Sequence, residues 1–168
     1  MKVTSAQAAK ILRKCDDDMR GILEIEDQSR CFIAAVGEDV ESVRPVYDYA
    51  ETQAKLIELE DKIRVIKHAL NVFNSTYIVS DLGMTIDQIL VLMPQLSRRR
   101  DKLRDMKSVL PKARVDHMRN TSNIIDYRYA NYDIAAVEKD YDDISDRLAK
   151  LQTALDTVNN TVEFDLEI

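Results

Sequence analysis

Seven residues near the end of this chain, Val137, Tyr141, Ile144, Leu148, Leu151, Leu155 and Val158, recur every three or four positions without a break. A stripe of that spacing covers one side of an α-helix and nothing else in the regular repertoire. Similar stripes occur three more times. Ala8, Leu12, Cys15, Met19 and Ile22 mark a helix over about 5–28, and Leu56, Leu59, Ile63, Ile66, Leu70 and Phe73 mark one over about 50–75. Ile86, Ile89, Met93, Leu96, Leu103 and Leu110 mark one over about 85–109, and the seven residues above one over about 134–159. The repeat is close to 3.5 residues, the period of helices packed nearly side by side. A helix of about 25 residues reaches roughly 37 Å at 1.5 Å per residue, and rods of that kind pack as hairpins or bundles.

Glycine and proline each occur only three times in 168 residues, against average usage of about 7% and 5%. So few turn formers exclude a sandwich or barrel of many short strands. Glycine-rich phosphate loops are missing, since neither GxGxxG nor GxxxxGK[ST] is present. Thr4 with Gln7, and Thr85 with Gln88, have the capping-box spacing that starts a helix. Pro94 falls inside the third helical pattern, where its missing N–H predicts a kink. Pro45 forbids a helix interior, so residues 30–49 read as a connector, strand or loop, with Arg44 extended. Gly83 is available for a backbone angle other residues avoid.

Three segments follow a period of two. "ARVDHMR" and "NIIDYRYA" flank "NTS" and predict a β-hairpin with strands at about 113–119 and 123–130. In "TVEFDLEI", Val162, Phe164, Leu166 and Ile168 alternate with Glu163, Asp165 and Glu167, which predicts a strand over 161–168. A two-stranded ribbon is marginal alone, so this third strand is expected to join the hairpin. The fold class is therefore mainly α (α+β): one domain over residues 1–168, four long helices in hairpins or a bundle, and a small antiparallel sheet.

The net charge of −6 disfavours phosphate backbones, so no nucleic-acid partner is expected. Cys15 and Cys31 form no CxxC pair, and free thiols fit a reducing compartment. No signal peptide or run of about 20 apolar residues is visible, which points to a cytoplasmic protein without stable membrane insertion. Seams only about two residues wide per heptad shelter little core within one chain, so a homo-oligomer is expected.

Candidate chemistry is sparse. Arg64, His68, Asn71 and Asn74 form a polar stripe beside the second seam. It is open to three readings: a pairing layer in a helix interface, a ligand-binding row, or a solvated face. Arg100 lies on the third seam and is a candidate partner for a carboxylate of a neighbouring helix. The run "SRRRDKLRDMK" is basic, but Asp101 and Asp105 dilute it. "DYDDISD" groups carboxylates without the glycine turn of an EF-hand, and neither His68 nor His117 follows a glutamate by three. No metal or cofactor is expected. Tyr127, Tyr129, Tyr132 and Tyr141 read as sheet residues half-buried against a helix, or as a partner platform.

Three stretches, "KIRVIKHALNVFNSTYIV", "MTIDQILVLMPQLSRRRDKLRDM" and "DRLAKLQTALDTVNNTVEFDLEI", together resemble the septicolysin-like family of small bacterial proteins. The resemblance covers about half of the chain and transfers no catalytic residue. Its name implies a pore-forming lysin, from which this chain departs in having no clear membrane-inserting segment. The leading expectation is a non-enzymatic helical oligomeric scaffold or interaction protein. The alternatives are a pore-forming or membrane-active protein, and a small-ligand binder or enzyme using the polar stripe with Arg98 or Arg100.

Overall fold

The computed structural model describes residues 1–115 and 125–168. Their elements in chain order are β1 (Lys2–Thr4), α1 (Ser5–Ser29), α2 (Val40–Val43), α3 (Tyr49–Thr76), β2 (Ile78–Val79), β3 (Met84–Thr85), α4 (Ile86–Lys107), β4 (Lys112–Val115), β5 (Asp126–Tyr129), α5 (Ile134–Thr161) and β6 (Glu163–Asp165). The fold is mainly α (α+β), and all four long helices lie within a few residues of their expected bounds. The chain divides into two compact units, Met1–Tyr77 with Thr157–Ile168, and Ile78–Asp156.

In the first unit, α1 starts at a complete capping box. The Gln7 amide donates to Thr4 Oγ1 at 3.2 Å, and the Thr4 amide donates to Gln7 Oε1 at 2.9 Å. Asp48 caps α3 by accepting from the Glu51 amide at 2.9 Å. The two helices run antiparallel. At one end, Tyr47 Oη (2.7 Å) and Gln53 Nε2 (3.1 Å) both donate to Glu26 Oε1 of α1. At the other end Val3, Ala8, Ile66 and Leu166 close a core, with Ile11, Leu12, Ala69, Leu70 and Phe164 around it. The connector contains no strand. It makes one short helix, α2, capped by Asp39, then Arg44 extended (φ −65°, ψ 120°) ahead of Pro45.

The C-terminal strand departs from expectation. β6 pairs antiparallel with β1, Val3 opposite Phe164, and among the described residues not with the 113–130 hairpin. The pairing is extended by the Met1 ammonium donating to the Leu166 carbonyl (2.7 Å) and the Leu166 amide donating to the Met1 carbonyl (2.8 Å). The alternation of Val162, Phe164 and Leu166 demands a cover for one face without saying which. Residues 2–4 supply it because they offer an open edge and buried Val3, and Phe73 of α3 stacks on Phe164 with ring centroids 4.9 Å apart. A three-residue strand is too short to register as a period of two.

The second unit opens with a pair that the sequence shows only as a helix-breaking loop. β2 and β3 align Ile78 with Thr85 and Val79 with Met84. Their turn is closed by the amides of Leu82 and Gly83 donating to the Val79 carbonyl at 3.0 and 2.9 Å. Gly83 takes φ +62°, in the left-handed region that favours glycine. Thr85 and Gln88 form the second capping box, and α4 continues through Pro94. β4 pairs with β5, Lys112 opposite Tyr129 and Val115 opposite Asp126, in the expected hairpin sense. The remaining hairpin residues, His117 among them, lie outside the described residues.

The seams are covered more completely than their width predicts. On α5, Val137, Ile144, Leu148, Leu151, Leu155 and Val158 are all buried within the single chain, and on α4 so are Ile86, Ile89, Leu96 and Leu103. Met93 and Tyr141 of these seams are half-buried, and Leu110 is 64% exposed because α4 ends at Lys107, before the seam does.

Candidate functional site

The polar stripe rides on α3 opposite its seam. Leu56, Ile66 and Phe73 are buried, which turns Arg64, His68 and Asn71 to solvent and leaves Asn74 half-buried. Arg64 Nη2 lies 2.8 Å from Asp61 Oδ1, one turn back on the same helix. Exposed Val65 and Val72 bracket His68, three residues before it and four after, so polar and apolar groups share this face.

Two members of the stripe enter a surface cleft of about 500 Å³. Arg64, Val65, His68 and Ala69 form its α3 wall, and Asp165 and Glu167 form the other. The chain-terminal segment brings the carboxylates here because pairing β6 with β1 buries Leu166 and turns the alternate residues outward. The cleft sets one guanidinium and one imidazole against two carboxylates, which suits a zwitterionic or polar ligand better than a bare anion. Asn71 and Asn74 do not line it. Asp165 and Glu167 were invisible as site residues in the sequence. Their signal, strict alternation with apolar neighbours, marks only the outer face of a strand.

Arg100 belongs to the other unit. It is half-buried, and its Nη2 sits 3.7 Å from Asp101 Oδ1, the next residue along α4. Within the chain, the arginine of this run that meets a carboxylate of another helix is Arg99, whose Nη2 is 4.0 Å from Asp140 Oδ2 of α5. One residue along a helix is about 100° of rotation, enough to aim Arg99 at α5 in place of Arg100. Lys107, seven residues after Arg100 on the same frame, holds its Nζ 3.9 Å from the Tyr141 ring centroid.

The tyrosines divide. Tyr127 and Tyr129 are 46% and 62% exposed, not half-buried against a helix, and Lys112 Nζ sits 4.1 and 5.5 Å from their rings. Tyr132 Oη donates to the Met106 carbonyl at 2.8 Å, and Tyr141 is half-buried. Among the described residues no group of three or more His, Cys, Asp or Glu is placed to hold a metal ion, and no helix is long and apolar enough to cross a membrane.

One titration stands out. The Tyr47 hydroxyl is pushed up to about 12, first by its hydrogen bond to Glu26, then by loss of solvent and by the Glu26 charge. Ionising it would set a phenolate beside a carboxylate. This contact fastens the hairpin of α1 and α3 and lies on the same unit as the cleft without lining it.

No family model matches the chain, and no curated protein does. Among solved structures, it is similar to a functionally unknown conserved protein from Corynebacterium diphtheriae. The TM-score is 0.63 at 18% identity, over 98% of this chain and 100% of that one. At that identity the likeness shows the fold alone. None of these comparisons bears on the septicolysin-like resemblance.

Proposed function

We propose that this protein is a non-enzymatic helical scaffold of the cytoplasm that assembles through copies of itself, with α3 as its pairing helix. The observation that carries the reading is the mixed face of α3, where exposed Val65 and Val72 alternate with Arg64, His68 and Asn71. Such a face behaves like a coiled-coil seam that carries a polar layer. The valines supply apolar area, about 25 cal/mol for each Å² removed from water. The amide and imidazole accept only a register in which their own hydrogen bonds are met. The buried seams of α4 and α5 play no part in this, since their own chain covers them.

Light scattering tests it. The assembly should exceed the 19.3 kDa of one chain. Val65→Glu with Val72→Glu should return it to that mass without loss of helical circular dichroism. Asn71→Leu with Asn74→Leu should change subunit number or crosslinking register. A wild-type monomer at high protein concentration overturns the reading.

A second reading, a small-ligand binder, is favoured by the cleft between α3 and the terminal segment. A binder there would lose affinity on His68→Ala while keeping its oligomeric mass. The pore-forming reading implied by the septicolysin-like resemblance draws on the connector, where Ile33, Val36 and Val46 are almost fully exposed. Retention of dye by liposomes at micromolar protein would dismiss it.

A further inference from the structure

A second cleft, of about 490 Å³, opens between α1 and α3, and none of Arg64, His68, Asn71 or Asn74 lines it. Its rim carries three ammonium groups. Lys10 and Lys14 stand one turn apart on α1, and Lys62 faces them from α3. Among the described residues none of the three forms an ion pair, whereas Arg20, Arg30, Arg44, Lys55 and Arg64 of the same unit do. Asp18, one turn beyond Lys14, is the acidic side chain at the rim and leaves the lysines in excess. The floor is apolar: Ile11 and Leu59 are half-buried and Cys15 is 5% exposed, with Ile168 at the edge.

We propose that this cleft binds a small amphipathic anion, a single carboxylate or phosphate head on a short alkyl chain. Three like charges line one cleft of a chain whose net charge is −6, so they form a local exception to its balance. Their mutual repulsion is relieved by one anion held between the two helices. The floor beneath them has no polar side chain to hydrate, so an alkyl chain displaces water there at no loss of hydrogen bonds. The volume lies in the range of small-molecule sites, about 300–1,000 Å³. The inference does not depend on oligomer formation.

Isothermal titration of the full chain with octanoate, octyl phosphate, inorganic phosphate and octanol tests it. One octanoate or octyl phosphate should bind per chain, and the tighter of the two names the head group. Inorganic phosphate and octanol should bind at least tenfold more weakly. Lys14→Gln and Lys62→Gln, both exposed and safe for folding, should each weaken binding roughly twofold to fivefold, the range of a solvated charge pair. Ile168→Ala should weaken octyl ligands alone. The proposal is overturned if no probe binds at millimolar concentration. It is equally overturned if octanol or inorganic phosphate binds as well as the octyl anions, or if the Lys14→Gln, Lys62→Gln double variant binds unchanged.

Discussion

Leu166→Ala tests where the terminal strand belongs. Leu166 is 1% exposed and packs in the core with Val3, Ala8 and Ile66. The change removes three carbons, worth about 2.4 kcal/mol at about 0.8 kcal/mol per buried CH₂. The cavity left behind adds to this, so a total of about 3 kcal/mol is expected, inside the range of about 2.7–5 kcal/mol for buried Leu→Ala changes. In a chain of this length that lowers Tm by roughly 6–12 °C, at about 2–4 °C per kcal/mol. Thermal melts followed by circular dichroism read the size. Amide hydrogen exchange reads the place: protection should fall in residues 1–4 and across the Ile66–Phe73 end of α3, and hold in β4 and β5. A loss under about 1 kcal/mol would refute the packing argument, and lost protection in β4 and β5 would restore the discarded pairing with the hairpin.

Two further predictions concern single contacts. Tyr47 holds its proton to about pH 12 in the folded state against an ordinary value near 10. The raised value means its contribution to stability is complete below pH 10 and fades as the pH rises toward 12. A spectrophotometric titration should show one tyrosine ionising late, and Glu26→Gln should bring it back toward its ordinary value. Gly83→Ala should cost about 1–2 kcal/mol from left-handed backbone strain alone, because a Cβ there meets no atom within 4 Å. Urea unfolding measures it, and a neutral result would refute the conformational argument.

Much of the architecture is legible in the sequence. Both threonine-glutamine capping boxes form as their spacing implies, because a cap is made within four residues and owes nothing to the rest of the fold. Helix bounds followed for the same reason. The candidate site was legible only by half. Arg64 and His68 do share a cleft, but its acidic wall comes from residues 165 and 167, about a hundred positions away. A heptad frame locates a helix face only to within one residue: Arg100 lies on the seam, and the adjacent Arg99 is the side chain that reaches α5 within the chain.

Sequence by itself determined which segments coil, where hydroxyl caps start them, and which side of each helix turns away from water. Those are properties of neighbours within a few turns, governed by backbone hydrogen bonding and apolar periodicity. Tertiary structure alone decided that Lys2–Thr4 takes the last strand, and that this pairing turns Asp165 and Glu167 toward His68. It also decided that the α4 and α5 seams find cover in their own chain. An apolar stripe states that it must be buried. Which surface buries it depends on edges and shapes brought together from distant parts of the chain, and local periodicity carries no record of them.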